Sequence, residues 1–304
     1  MYSLYNFFHR KQLAHNRVLY KKIGLNKNYW SSVSSKDFAG LPQNLPRDVN
    51  VSPEQLANIN LFSSLSDTDK ESVQSFNDNG FAVIGNYLSA EQADAVNAEI
   101  ALLQQQKKVK FTNGNKIMFA IHRSPLLSSI GNGARLKELL GALLSGNAIL
   151  FQSINFLMGS EQHTHSDSIH MTTYPAGGLL GVWIALDDIT EDNGPLHYYP
   201  KSHKLPYYLN ADYSNEGNAW LLGSKSYTDY EAMIAEKIQE QKLEKVKFYA
   251  KKGDLLIWHA NLFHGGDPHL DKSKTRKSMV LHYFKEEAIC YHEISQRPAL
   301  MYDV

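Results

Sequence analysis

The chain has 304 residues, of which 43% are hydrophobic and 20% charged, so it can bury a sizeable core and is neither disordered nor fibrous. Lysine plus arginine and aspartate plus glutamate number 31 each, which excludes a global field that would attract nucleic acid. No stretch approaches the length of a membrane-spanning helix. The single cysteine, Cys290, cannot form an internal disulfide, and the first residues lack the apolar core of a secretory signal. The expected location is therefore the cytoplasm.

Residues 1–36 form the most asymmetric stretch of the chain. They contain no acidic residue, while their cations are Arg10, Lys11, Arg17, Lys21, Lys22, Lys27 and Lys36. Apolar residues between Leu4 and Leu19 can share one helix face, which is typical of an interfacial helix in peripheral contact with a membrane, of a targeting peptide, or of a helix docked on its own domain. Residues 31–53 are rich in Ser, Pro and Asn and indicate a linker. We therefore predict a basic N-terminal extension and linker over residues 1–64.

Helices are predicted first in the globular part, which spans residues 65–304. Residues 67–78 form a predicted helix that ends near Gly80, and a strand follows at 81–85. A capping box that begins at Ser89 starts another helix, and a further one is predicted over 136–144.

Short β-rich runs dominate the rest of the chain. They cover residues 148–158, 178–186, 195–200, 245–250, 254–259 and 278–284. Between the third and fourth runs lies an insertion, 205–244, in which Thr228 and Glu231 are predicted to cap a helix through Gln239. Helices followed by many short strands predict a mainly β fold with flanking α-helices, a sandwich or barrel braced by the N-terminal helices. Alternating βα units and glycine-rich phosphate loops are absent from the sequence, which excludes Rossmann and P-loop folds.

A group of histidines after the first β-run carries the clearest chemical signal. In an extended segment His163, His165 and Asp167 point to one face, so a histidine and a carboxylate can share a metal if a third ligand arrives from elsewhere. His264, before a Gly-Gly turn, is the candidate third ligand. Two histidines and one carboxylate form the facial site of non-heme Fe(II) oxygenases, which leaves positions for a chelating 2-oxo acid and O2. Arg276 is suited to pair with the distal carboxylate of such a cosubstrate.

These segments resemble the phytanoyl-CoA dioxygenase family of Fe(II)/2-oxoglutarate oxygenases over roughly residues 81–284. The matching features are His165-Ser-Asp167, Asn193-Gly194-Pro195, Pro200-Lys-Ser-His203, His264 and Arg276. The resemblance implies a double-stranded β-helix, that is, a jelly-roll or cupin-like barrel. It also implies that His165, Asp167 and His264 bind iron and that Arg276 grips the distal carboxylate of 2-oxoglutarate.

Further cosubstrate contacts follow from the same resemblance. It places Gln152 and Asn155 beside the cosubstrate and matches Trp183 to a family aromatic residue there, although Trp183 could equally fill the barrel interior. Gln152 and Asn155 are three positions apart, so both reach one ligand only if a bulge or twist intervenes. Gly266 stands where some members have a serine, which puts one cosubstrate contact in doubt.

The resulting prediction is an enzyme that uses Fe(II), 2-oxoglutarate and O2 to hydroxylate an unactivated C–H bond of a small molecule, such as a lipid, sugar or secondary metabolite. Succinate and CO2 are released. Desaturation or ring closure would use the same site. Two alternatives stay open: a cupin-like binding protein without turnover, and a zinc hydrolase using His163, His165 and Asp167, although Ser168 stands where such sites have a histidine. The insertion is a predicted lid because it is rich in aromatic residues, namely Tyr207, Tyr208, Tyr213, Trp220, Tyr227 and Tyr230.

Overall fold

Ten α-helices are found in the described part of the chain, which in this computed structural model comprises residues 2–41, 51–112, 114–217 and 221–302. Residues 42–50 of the predicted linker and Trp220 of the predicted lid lie outside the described residues. The helices are α1 Tyr2–Phe8, α2 Asn16–Ile23, α3 Pro53–Ala57, α4 Asn60–Ser63, α5 Asp67–Gln74, α6 Phe76–Asn79, α7 Ala90–Gln105, α8 Pro125–Gly131, α9 Ala134–Leu144 and α10 Tyr227–Glu240. Among the described residues, no helix has both the length and the apolar character needed to cross a membrane.

The strands pair antiparallel in three sheets. They are β1 Phe81–Ile84, β2 Phe111–Thr112, β3 Lys116–Met118, β4 Ala148–Phe156, β5 Thr172–Tyr174, β6 Leu179–Ala185, β7 Leu196–Tyr198, β8 Val246–Phe248, β9 Leu255–His259, β10 His264–Gly266, β11 Ser278–Lys285, β12 Ile289–His292 and β13 Arg297–Pro298. The largest sheet has the order β1-β9-β6-β11-β4-β3-β2, and the two others have the orders β10-β7-β8 and β13-β12-β5. The predicted β-runs are confirmed, and the sheets form layers rather than one closed barrel.

The two faces of the seven-stranded sheet have different partners. Alternate residues of its strands, such as Val182 and Leu281, pack with the helices in the largest hydrophobic cluster. The intervening residues, such as Trp183 and Val280, face β7 and β8. This arrangement, with helices on one side of the large sheet and a small sheet on the other, confirms the predicted mainly β fold with flanking helices. The predicted metal ligands lie on the side of the small sheet, to which His264 of β10 belongs.

Local sequence signals explain the helix boundaries. Gly80 ends α6 with φ of 82°, a left-handed conformation that glycine adopts without strain, and the Ser89 side chain caps α7 as predicted. The predicted cap of α10 is wrong by two residues. Ser226 is the N-cap, because its side chain accepts the Asp229 N–H and the Asp229 carboxylate accepts the Ser226 N–H in return.

The segment before residue 65 also packs against the globular part. Phe38 stacks on Tyr174 of β5, with 4.4 Å between ring centroids, and Tyr20 belongs to the same buried cluster. Leu56 and Phe62, on α3 and α4, are buried in the largest core cluster. The boundary at residue 65 stays a prediction, but hydrophobic packing starts earlier in the chain.

Candidate metal centre and cosubstrate pocket

Two histidines from distant parts of the chain meet through backbone pairing. His165 and His264 form an isolated antiparallel bridge in which each backbone N–H donates to the other residue's carbonyl at 2.9 Å. Such a hydrogen-bonded pair fixes the separation of the two Cα atoms. Asp167 begins a short 3-10 helix two residues after His165, which turns its carboxylate back toward the same point. The predicted ligand residues are therefore neighbours.

The cluster has the dimensions and the atoms of a metal site. The ligand atoms of His165, Asp167 and His264 lie within 4.8 Å of one another, and all three residues are buried. Asp167 Oδ1 is 3.9 Å from His165 Nε2 and 3.7 Å from His264 Nε2. Two imidazole nitrogens and one carboxylate oxygen suit a divalent transition metal and leave coordination positions open.

Backbone carbonyls select the tautomer of both histidines. His165 Nδ1 lies 2.8 Å from the His163 carbonyl, and His264 Nδ1 lies 2.9 Å from the Leu262 carbonyl. A carbonyl only accepts, so each Nδ1 donates and each Nε2 carries the lone pair that a metal requires. Burial, reinforced by the nearby His264, lowers the pKa of His165 to about 3 and keeps its ring neutral near pH 7.

The carboxylate of Asp167 is held by groups that the sequence analysis did not assign. Trp258 Nε1 donates to Asp167 Oδ2 at 2.7 Å, and His282 Nε2 lies 3.6 Å from the same oxygen. Burial opposes ionisation of Asp167, but the nearby His264 and His282 outweigh it, so the pKa of this carboxyl is below its usual range. Oδ1 is therefore charged and available to a metal.

Lys116 and Gln162 form a second unpredicted group. Lys116 Nζ donates to Gln162 Oε1 at 3.2 Å, and Gln162 Nε2 lies 3.2 Å from His165 Nε2. Burial lowers the pKa of Lys116, while attraction to Asp167 opposes the shift. The sequence signal was weak, because Lys116 lies on the short strand β3 and reaches the site only through the sheet order.

Arg276 is a buried cation without a carboxylate partner in the described residues. Its side chain is 2% exposed, its Nε donates to the Gly194 carbonyl at 3.1 Å, and Nη1 is 3.4 Å from Ser278 Oγ. The guanidinium lies 5.2 Å from the ring of Trp183, whose buried Nε1 has no hydrogen-bond partner among the residues that the structure describes. Burial lowers the pKa of Arg276 to about 10, so it remains charged near pH 7. These groups fit a ligand carboxylate.

The strand register separates Gln152 from Asn155. Gln152 pairs with His282 and faces the site, where its amide lies 3.4 Å from His282 Nδ1. Asn155 pairs with Met279, which packs on the helices, so Asn155 faces the opposite side. The bulge in β4 falls at Phe151, outside the segment that joins the two residues. Of this pair only Gln152 stays in the candidate site, and the sequence-based placement of Asn155 beside the cosubstrate is corrected.

His163 lies outside the cluster, although its backbone carbonyl supports His165. Its side chain is exposed, and the candidate metal-binding group among the described residues consists of His165, Asp167 and His264 instead. The zinc-hydrolase alternative, which needs His163 as a ligand, therefore lacks its first ligand in this arrangement.

The insertion packs over the segment that carries two of the candidate ligands. Tyr230 of α10 is buried, and its hydroxyl accepts the Ser166 N–H at 3.3 Å. The Tyr227 hydroxyl lies 3.5 Å from Gln162 Nε2, and its ring centroid is 4.8 Å from that of His170. The first residues of α10 therefore contact the 162–170 segment at both of its ends and at Ser166 between them.

The chain matches a known protein family over most of its folded part. The model of the phytanoyl-CoA dioxygenase family matches residues 76–278. "Phytanoyl-CoA dioxygenase domain-containing protein 1" of Danio rerio is 32% identical over 94 residues, which are 29% of this chain and 32% of that protein. The homologue of that protein in Dictyostelium discoideum is 23% identical over 270 residues, covering 71% of this chain and 91% of the relative. The match to the vertebrate relative thus spans about a third of that relative's length.

Solved structures share the fold. The 2-oxoglutarate-dependent carbocyclase SnoK from nogalamycin biosynthesis superposes with a TM-score of 0.61 at 17% identity, covering 78% of this chain and 89% of SnoK. EctD from S. alaskensis with 2-oxoglutarate and 5-hydroxyectoine gives a TM-score of 0.56 at 18% identity, covering 80% and 79% of the two chains. At these identities the likeness establishes the fold, and it confirms the predicted cupin-like architecture.

Proposed function

This chain belongs to the phytanoyl-CoA dioxygenase family, and from that premise we propose that it is a non-heme Fe(II)/2-oxoglutarate-dependent oxygenase. The observation that carries the proposal is that the protein holds both the buried His165–Asp167–His264 cluster and a buried arginine, Arg276, that lacks a carboxylate partner among the described residues. The cluster would bind ferrous iron, and the arginine would bind the distal carboxylate of 2-oxoglutarate.

His165, Asp167 and His264 would hold the iron through two Nε2 atoms and Oδ1. When bound, Fe(II) with 2-oxoglutarate and O2 supplies the oxidant for a C–H bond, with succinate and CO2 as co-products. The protein's own contribution is to orient both imidazoles, because each Nδ1 donates to a backbone carbonyl and Nε2 faces the cluster, and to hold the Asp167 carboxylate in place through the Trp258 hydrogen bond.

Arg276 would anchor the cosubstrate at the opposite end of this space. Its charge is buried beside Trp183, so a carboxylate that reaches it forms charge-assisted hydrogen bonds away from water. Trp183 Nε1 is a second donor, and Gln152 faces the same interior through its contact with His282. A ligand held at both ends is fixed in orientation, which is the protein's main task in such chemistry.

The proposed reaction is hydroxylation of an unactivated C–H bond in a small molecule, because this outcome needs the fewest special features beside the metal. A cavity of about 1170 Å³ lies next to the site and includes Gln152, Phe151 and Met171 in its lining. This volume suits a small organic substrate.

The decisive experiment is an anaerobic titration of the metal-free protein with Fe(II) and 2-oxoglutarate. We expect the metal-to-ligand absorption band of the chelate, followed by succinate release when O2 is admitted. A metabolite library screened for stimulated succinate release then identifies the substrate. The band without succinate under any condition would favour the cupin-like binding protein. Hydrolysis without O2 or 2-oxoglutarate would favour the zinc enzyme.

Asp167→Ala should abolish both the absorption band and succinate release, because it removes the only carboxylate of the cluster. Asp94→Ala is the matched control, since Asp94 is an exposed residue of α7 that forms an ion pair with Lys252. Retention of the full band in Asp167→Ala would contradict the ligand assignment. Circular dichroism of both variants separates loss of metal from loss of fold.

We also propose that the insertion acts as a lid, because Tyr227 and Tyr230 contact the 162–170 segment. Tyr227→Ala should raise KM for the substrate found in the screen and leave substrate-independent succinate release unchanged. Equal KM values in the two proteins would show that the insertion only packs on the sheet.

A further inference from the structure

The N-terminal helices are anchored to the fold by their inner side. Leu13 and Tyr20 are buried, and so are the side chains of Asn6 and Asn16. The Met301 N–H donates to the Gln12 carbonyl at 3.0 Å, which ties the turn between the helices to the C-terminal segment. Residues 2–41 therefore present a defined outer surface.

Large apolar side chains lie on that outer surface. Leu4 is 68% exposed, Phe8 is 73% exposed and Val18 is 71% exposed. Leu4 and Phe8 are four positions apart on α1 and so share one face of the helix. Packing among the described residues leaves these side chains largely exposed, because that packing uses the inner side of the helices.

The same segment is strongly basic. Lys11, Lys21 and Lys22 are exposed, as are Arg10 and Arg17. The one acidic residue between positions 2 and 41 is Asp37, which already accepts a hydrogen bond from Lys27 at 2.8 Å. The surface thus combines exposed apolar side chains with basic side chains that form no ion pair with another described residue, which matches the interface of an anionic bilayer.

The mouth of the substrate cavity continues this surface. Tyr5 of α1 lines the cavity, and the Arg297 guanidinium lies 4.9 Å from the Tyr5 ring centroid. Basic residues line the cavity at Lys107, Lys108, Lys110, Arg123 and Arg297, and none of the described lining residues is acidic. The aromatic residues Phe119 and Tyr302 are 41% and 43% exposed there. The cavity therefore opens beside α1, within one basic and apolar face.

We propose that this face, formed by α1, α2 and the cavity rim at residues 107–112 and 118–123, docks on an anionic phospholipid membrane with the cavity mouth next to the lipid. The docking itself goes beyond the proposed function. Its consequence, that the substrate enters from the bilayer and is lipid-soluble, rests on the proposed function.

The test is flotation of the full chain with vesicles of phosphatidylcholine alone or with about 30% phosphatidylserine, a content typical of an anionic leaflet. We expect binding to the anionic vesicles and little to the neutral ones. Raising the salt from about 0.1 M to about 0.5 M should release the protein, because screening shortens the reach of surface charges. No binding, or equal binding to both kinds of vesicle, would overturn the proposal and point to a soluble anion or a protein as the occupant of the face.

Two variants locate the contact. Leu4→Ser/Phe8→Ser and Lys11→Glu/Lys21→Glu/Lys22→Glu should each lower the vesicle partition coefficient at least about tenfold. The matched controls are Leu270→Ser, which changes a side chain that is 65% exposed elsewhere, and Lys225→Glu/Lys242→Glu/Lys251→Glu, which carries the same change in charge. Wild-type partition in both test variants, or equal losses in the controls, would contradict the assignment of this face.

Variants of the metal site distinguish failure of the docking proposal from failure of the proposed function. Asp167→Ala should bind vesicles as the wild type does, because Asp167 is buried between the sheets. Leu4→Ser/Phe8→Ser should keep the Fe(II)/2-oxoglutarate absorption band. If the wild-type protein binds vesicles but shows no absorption band, the docking surface is supported and the oxygenase assignment fails. If it shows the band but does not bind vesicles, the oxygenase assignment is supported and the docking surface fails.

Discussion

The two ends of the candidate site differ in how completely the protein satisfies its own polar groups. At the ligand cluster, both Nδ1 atoms donate to backbone carbonyls, and Asp167 Oδ2 accepts a hydrogen bond from Trp258. At the other end, Arg276 has one short hydrogen bond, to the Gly194 carbonyl, and the buried Trp183 Nε1 has no partner in the described part of the chain.

The difference shows which part of the chemistry the fold supplies by itself. A buried charge without a counter-ion costs free energy, so the Arg276 end gains most from an anionic ligand. At the ligand cluster, the candidate ligand atoms already lie close together, in positions suited to a metal ion. Metal binding and cosubstrate binding should therefore respond to different substitutions, and the following variants test that separation.

Arg276→Gln should have the largest effect. It removes a buried cation that would pair with the cosubstrate, so KM for 2-oxoglutarate should rise by at least about thirtyfold, the equivalent of about 2 kcal/mol. Fe(II) affinity, measured by anaerobic calorimetry, should stay unchanged. Lys277→Gln is the matched control, because that neighbouring side chain is only half-buried. An unchanged KM for 2-oxoglutarate in Arg276→Gln would show that Arg276 does not bind the cosubstrate.

Trp258→Phe should act on the metal end. The variant loses the indole donor to Asp167 Oδ2, and loss of a group that supports a ligand typically lowers metal affinity about 10- to 100-fold. The affinity of the metal-saturated protein for 2-oxoglutarate should not change. Trp183→Phe is the mirror-image control, since it should weaken 2-oxoglutarate binding and spare the metal. Identical profiles for the two variants would mean that the ends are not separable.

His259 tests acid sensitivity away from both ends. Its burial lowers its pKa to about 3 from the ordinary 6.5, so in the native state the ring stays neutral while the unfolded chain takes up a proton. The free energy of unfolding should fall as the pH drops below 6.5, by about 2 kcal/mol by pH 5 from this residue. His259→Asn should flatten that slope in denaturant unfolding of the metal-free protein. A slope equal to that of the wild type would mean that other groups dominate.

Much of the site could be inferred from sequence because its members lie in local patterns. His165 and Asp167 are two residues apart, and His264 and Arg276 flank predicted strands, so residue type and order identified them as candidates. Trp258, His282 and Lys116 were missed, because their approach to the cluster depends on which strands are neighbours. For His282 a signal existed: it lies on the same face of β11 as Ser278 and Val280, which alternation along the strand predicts.

The strand register of β4 could not be predicted from the sequence. The placement of Asn155 required a bulge between positions 152 and 155, and nothing in the local sequence shows that the extra residue is Phe151 instead. The N-terminal region was limited in another way. Its helices could be expected from their apolar spacing, but the docking of Tyr20 and Phe38 on β5 and β12 depends on tertiary contacts.

The backbone bridge between His165 and His264 has a consequence for how this fold can vary. Because two main-chain hydrogen bonds set the spacing of these residues, that spacing does not depend on the length of the insertion at residues 205–244, which lies between them in the chain. New loops, and with them new specificities, can be added at positions 205–244 while the reactive centre keeps its dimensions.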